Sequence, residues 1–158
     1  MLRAFAYSSH MSPDLSDEKI RSIISHSASF NRVAGVTGAL LISGQQFFQY
    51  LEGPPDGVET VMRRIQESRS HHALVRVLDT SIATRAVPYW AMTRVETGQT
   101  VVSGLVNAQW DEFGQPRSDA SAGMALLASL LRPHFPTLGG EARQAGITQP
   151  RAAPANPS

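Results

Sequence analysis

Over roughly the first hundred positions, the apolar residues switch between a two-residue and a three-to-four-residue rhythm, the marks of strand and helix. Leu2 to Ser9 is a short apolar run with Phe5 and Tyr7 on one parity, closed by the turn-like Ser12-Pro13-Asp14. Ser16 is placed to cap a helix, with Leu15 and Ile20 spaced as a hydrophobic staple. Asp17 and Glu18 fall in its first turn, where the helix dipole favours anions. Ile20, Ile23, Ile24 and Ser27 share one face of that helix, which the pattern ends near Phe30-Asn31. Val36 to Ser43 and Gln46 to Glu52 read as two strands joined by a hairpin at Ser43-Gly44-Gln45. After Gly53-Pro54-Pro55, Asp56 and Glu59 predict a capping box that opens a second helix, with Val58, Met62 and Ile65 at helical spacing. Leu74 to Thr80 and Tyr89 to Val95 complete the set as strands. The order β-α-β-β-α-β-β predicts an α+β, ferredoxin-like sandwich with two helices on one sheet face.

Past Glu96 the pattern changes. Val101 to Phe113 and Ser121 to Leu131 read as two helices, the second with an apolar stripe of Leu126, Leu127, Leu130 and Leu131. That stripe either covers the free sheet face or forms a contact that responds to a signal. From Pro136 onward Gly, Pro, Ala and polar residues predict disorder. The expected organisation is therefore a sandwich over 1–96, a helical extension over 97–135 and a tail over 136–158.

Composition narrows the possibilities. With 42% hydrophobic and 17% charged residues among 158, the chain suits a globular body. Its net charge is +1, and the single lysine, Lys19, stands beside thirteen arginines that form no basic run. The electrostatic footprint of a nucleic-acid binder is missing. There is no cysteine, which excludes disulfides, thiolate catalysis and thiolate-bound metals. The first residues turn polar too soon for a signal peptide, and no apolar run reaches the ~20 residues of a membrane span. A cytoplasmic protein without membrane contact is expected.

Catalytic signatures are lacking: no GxGxxG, Walker A, HExxH or GxSxG occurs. His71-His72 would point to opposite faces of a strand, a poor metal site. More informative is Phe47-Phe48-Gln49-Tyr50-Leu51, which places Gln49 beside Phe47 and Leu51 on one face. A buried amide left unpaired costs ~1–3 kcal/mol, so Gln49 needs a partner, and the Tyr7 phenol can supply one. Such a pair is equally readable as structural. Asn31 near a helix end is ordinarily a cap, and Trp90 and Met92, which share a strand face, are ordinarily core.

Taken together, these positions form a pattern. Asn31-Arg32-Val33-Ala34-Gly35-Val36-Thr37-Gly38, then Phe47-Phe48-Gln49-Tyr50-Leu51-Glu52-Gly53, closely resembles the BLUF family of blue-light sensors. Tyr7, Arg64-Ile65, His71 and Trp90-Ala91-Met92 continue the resemblance in order, over about residues 1 to 96. The resemblance implies the same ferredoxin-like sandwich and a flavin, FAD in the family with FMN not excluded, between the two helices. It implies that Ile23 and Ile65 clamp the ring and that Ser27 lines the pocket. Asn31 and Arg64 would bond its carbonyl edges, and Arg32, Ser68 and His71 would complete the cofactor contacts. Tyr7 and Gln49 would form the photoactive pair, with Trp90 and Met92 relaying the change. Where the family commonly carries an acid and then an arginine before the histidine, this chain has Ser68 and Ser70.

The implied function is that of a blue-light photoreceptor and not an enzyme. The ~60 residues after the sandwich are too few for a typical catalytic output domain. Output is therefore expected through an unidentified protein partner or self-association. Two other readings compete: a flavin-free interaction module, and a small acyl-phosphate hydrolase using Arg32 and Asn31, which has no phosphate-cradling glycine loop beside them. The colour of the purified protein separates the first two, and turnover of an acyl phosphate would be needed for the third.

Overall fold

The computed structural model describes residues 1–110 and 122–135. Five strands form one sheet: β1 (Leu2–Met11), β2 (Thr37–Ser43), β3 (Gln46–Gly53), β4 (His71–Ile82) and β5 (Thr93–Glu96). Helix α1 (Asp17–Ala34) links β1 to β2, and α2 (Pro55–Glu67) links β3 to β4. Two further helices, α3 (Gln99–Asn107) and α4 (Ala122–Leu131), precede a short 3₁₀ turn at Arg132–His134. The strand order is β4-β1-β3-β2-β5, antiparallel except for the parallel β2–β5 pair. This is the ferredoxin-like α+β arrangement, with one strand added beside β2.

Strand alternation divides the core into two layers. Phe5, Tyr7, Ile42, Phe47 and Leu51 face α1 and α2, where they meet Ile20, Ile24, Val58, Val61 and Ile65. Ala4, Ala6, Ala39, Leu41, Phe48 and Tyr50 face the other way, onto Val102 and Leu105 of α3 and Leu127 and Leu131 of α4. The leucine stripe thus covers the second sheet face. Leu127 and Leu131 are fully buried there, and Leu126 and Leu130 pack at its margin.

Helix boundaries follow local chemistry. Ser16 accepts from the Lys19 amide as the expected N-cap of α1. At the other end, Gly35 (φ 72°) ends the helix in the left-handed region, and the Val36 amide donates to Asn31 O at 2.8 Å. The helix therefore runs past the expected end near Asn31, which sits inside the last turn. The capping box at Asp56 does not form. Pro54 occupies the cap position with Pro55 at the first helical position, where a missing N–H costs nothing. Glu59 instead pairs with Arg3 (2.7 Å), which also grips Asp79 through two bonds of 2.8 Å.

Three other boundaries differ from the sequence pattern. β4 extends beyond Leu74 to Thr80 at both ends because it pairs along almost all of β1. The last strand begins only at Thr93, and residues 89–92 follow an irregular path. Consequently Trp90 and Met92 do not share a face: Trp90 packs in the α3–α4 layer and Met92 in the α1–α2 layer. Finally, α3 stops at Asn107, and Trp110 folds back to donate to Leu105 O at 2.9 Å. The expected continuation to Phe113, residue Ser121 and the tail from Pro136 lie outside the described residues.

Candidate functional site

A cavity of about 540 Å³ opens between α1, α2 and the sheet. This volume is in the range of small-molecule and cofactor sites. Its first wall is the α1 face that the sequence periodicity outlines: Ile20, Ile23, Ile24, Ser27 and Asn31. Val61, Arg64 and Ile65 of α2, with Ser68 just past its end, make the second wall, and Tyr7, Leu40, Ile42, Phe47, Gln49 and Met92 make the floor. The two helices approach closely because Gly57 of α2 has no side chain. A Cβ there would lie 2.2 Å from the Ala34 carbonyl oxygen.

Tyr7 and Gln49 face each other across the paired strands β1 and β3 and are both buried. The Tyr7 hydroxyl donates to Gln49 Oε1, and Gln49 Nε2 donates to Met92 Sδ at 3.6 Å. Burial pushes the Tyr7 phenol well above its ordinary pKa, so it remains a protonated donor. Its ring is fixed among Phe5, Phe47 and His71, with centroid distances of 5.9, 6.5 and 5.9 Å.

Asn31 is 1% exposed and donates through Nδ2 to Ala91 O at 2.9 Å, tying α1 to the segment that carries Met92. Arg64 places its guanidinium 4.3 Å above the Phe30 ring at the cavity wall. Ser68 lines the cavity and accepts from the Ser70 amide at 3.2 Å. His71 bonds through Nε2 to Ile65 O at 3.0 Å; a carbonyl only accepts, so Nε2 carries the proton. Among the described residues, its Nδ1 is a buried acceptor with no hydrogen-bond partner. Burial lowers the His71 pKa, favouring this neutral form.

Two of the expected residues stand apart from this group. Arg32 is exposed on α1 and is not part of the lining. Trp90 is buried on the opposite sheet face beside Tyr89 and Phe135, at 5.7 and 5.6 Å between ring centroids. Conversely, sequence reasoning overlooked Leu40 and Ile42, although the alternation of β2 carries that signal. It also missed Phe30 as the Arg64 partner and Met11, His26, Glu67 and Ser70 as lining residues. Among the described residues, no group of three or more His, Cys, Asp or Glu could hold a metal. Nor is any helix there long and apolar enough to cross a membrane.

Fold and cavity together define a small α+β ligand-binding domain whose pocket floor carries a buried phenol–amide pair. Residues 2–93 match the family model BLUF, sensors of blue light using FAD, and the chain belongs to that family. It is 37% identical over 78 residues to the blue light- and temperature-regulated antirepressor BluF of Escherichia coli (strain K12). That match covers 49% of this chain and 19% of BluF, so the chain spans about a fifth of the relative's length. Among solved structures, the photo-activated state of BlsA superposes with a TM-score of 0.60 at 26% identity, over 68% of this chain and 78% of BlsA. The dark-state structure of BlrB, a BLUF protein, gives 0.58 at 28% identity, over 60% and 72% of the two chains.

The family's cofactor is a flavin, and the cavity fits one. Apolar walls from two helices suit the faces of a flat tricyclic ring, while Asn31, Gln49 and Arg64 bring donors suited to its carbonyl edge. The unpartnered His71 Nδ1 offers an acceptor for an N–H or hydroxyl donor.

Proposed function

We propose that this chain is a blue-light photoreceptor in which a flavin, held by Ile23, Ser27, Asn31, Arg64, Ile65, Ser68 and His71, is read out by Tyr7 and Gln49. Arg32 would act from outside the cavity, toward whatever part of the cofactor leaves its mouth. The observation that carries the reading is the chain Tyr7 O–H to Gln49 Oε1, then Gln49 Nε2 to Met92 Sδ, on the cavity floor. Bound flavin supplies absorption of blue light and an excited state able to oxidise a nearby phenol.

The protein's own chemistry follows from its donors and acceptors. Tyr7 is a buried phenol that can give an electron and a proton and then recover both. Gln49 has an acceptor end and a donor end, so rotation or tautomerisation of its amide exchanges what it offers to Tyr7, to Met92 and to the cavity. Met92 feels that exchange directly, because its sulfur is a weak acceptor facing the amide nitrogen. Asn31 holds the adjacent Ala91 carbonyl and so connects α1 to the same segment. The two states differ by a few hydrogen bonds, and the output is the resulting displacement of the segment before β5. The signal then passes to a separate protein or to a second copy, in the cytoplasm, with no reaction catalysed by this chain.

Absorption spectroscopy tests this. The purified protein should carry flavin, and its spectrum should shift reversibly to the red under blue light. A colourless protein that refuses added FAD and FMN would overturn the reading in favour of a flavin-free interaction module.

A further inference from the structure

Glu52 lies three positions beyond Gln49 on β3 and faces the layer opposite the cavity. It is fully buried, yet every bond it makes is specific. Its Oε1 accepts from the Val87 amide at 2.6 Å, and its Oε2 accepts from the Ala86 amide at 2.9 Å and the Tyr50 hydroxyl at 2.8 Å. Burial pushes this carboxyl above the usual carboxylate range, while the three donors and nearby Arg85 pull it back. Arg85 completes the clamp, donating to Thr37 Oγ1 at 2.8 Å, Glu52 O at 3.2 Å and Gly35 O at 2.7 Å.

The segment clamped in this way is the irregular stretch leading to β5. Residues 85–87 are held by Glu52 and Arg85, Trp90 O accepts from the Gly38 amide at 2.9 Å, and Ala91 O accepts from Asn31. At its far end Met92 accepts from Gln49. One strand therefore grips both ends of the segment, through Glu52 on one face and Gln49 on the other. With no strand pairing before Thr93, the side-chain clamp stands where a backbone ladder would otherwise fix position.

We infer that Glu52, with Arg85, is a positioning residue for the light switch: its carboxylate sets where Met92 stands against Gln49. The functional part of this inference rests on the photoreceptor reading above. Glu52→Gln conserves volume but turns one acceptor oxygen into a donor, so one of the bonds from Ala86 or Val87 is lost. Arg85→Met removes the other half of the clamp at the segment's half-buried edge and serves as the second variant.

Two measurements are made on the full chain: the ¹³C-methyl resonance of Met92 in darkness, and dark recovery of the spectrum after a blue pulse. In each variant the Met92 resonance should move or split. Recovery should change by about threefold or more, the scale of one lost hydrogen bond, at unchanged flavin content. A role confined to stability would lower the melting temperature and leave both readouts in place. Met92 unmoved, or recovery within about twofold of the parent, in variants whose Ala86 and Val87 amides exchange faster would overturn the inference. Absence of flavin in the parent would refute the photoreceptor reading instead, and the Met92 resonance would still decide the positioning claim.

Discussion

Removing the Tyr7 hydroxyl separates its part in packing from its part in switching. Tyr7 is 2% exposed and its ring touches Phe5, Phe47 and His71, so Tyr7→Phe keeps the shape of the floor. What it deletes is the donor to Gln49 Oε1, leaving a buried amide oxygen short of a partner at a cost of about 1–3 kcal/mol. Gln49→Leu strands the Tyr7 hydroxyl at a similar cost. The double variant replaces both partners with apolar groups and should lose much less than the sum. Urea unfolding of the four proteins without flavin then gives a coupling of about 0.5–3 kcal/mol. In the flavin-loaded proteins, Tyr7→Phe should retain colour and lose the reversible red shift. Two results would refute the reasoning: additivity within about 0.3–0.5 kcal/mol, which denies the bond, and a normal red shift in Tyr7→Phe, which denies its role.

Further expectations come from the cavity walls and the covering helices. Arg64→Ala, which also removes the stack on Phe30, should weaken flavin retention by about tenfold or more, measured by equilibrium dialysis, and Asn31→Ala by up to about tenfold. Retention equal to the parent in both would misplace the pocket. Gly57→Ala would press a Cβ to 2.2 Å from Ala34 O, so it should cost about 1–3 kcal/mol in urea unfolding and open the α1–α2 gap. His71 has its pKa lowered by burial, so the unfolded chain binds the proton more readily, and stability should fall as pH drops below the ordinary 6.5. His71→Asn should flatten that part of the pH profile of melting temperature. Amide exchange in α3 and α4 should change between darkness and blue light while α2 changes less, and identical protection would leave those helices as a cover only.

Much of this architecture is legible in the sequence because alternation and helical spacing are local. β1 to β3 and the apolar face of α1 follow directly from Phe5, Tyr7, Phe47, Gln49 and the isoleucines at positions 20, 23 and 24. The failures share a cause. The spacing of Asp56 to Glu59 suits a cap, but Pro54-Pro55 already satisfies the helix start and Arg3, distant in sequence, claims Glu59. Alternation puts Trp90 and Met92 on one face, a rule valid only inside a strand. Their backbone is shaped by bonds to Gly38 and Asn31, which no periodicity encodes. Arg85 carried no local signal at all, since its partners lie at Gly35, Thr37 and Glu52.

That same irregularity suits the segment to carry a signal. A residue within a sheet ladder moves only if its neighbours' backbone bonds move too, whereas residues 85–92 are fixed mainly by side chains of α1 and β3, by the Arg85 side chain and by the Gly38 amide. An amide rearrangement at Gln49 changes one of those attachments without disturbing the sheet. Because Trp90 lies in the α3–α4 layer and Met92 in the cavity layer, the segment passes through the sheet's edge from one core to the other. On the photoreceptor reading, displacing Met92 would press Trp90 against Tyr89 and Phe135, since close-packed side chains transmit small shifts. A sensor that placed both residues on one face would have no such route across the sheet.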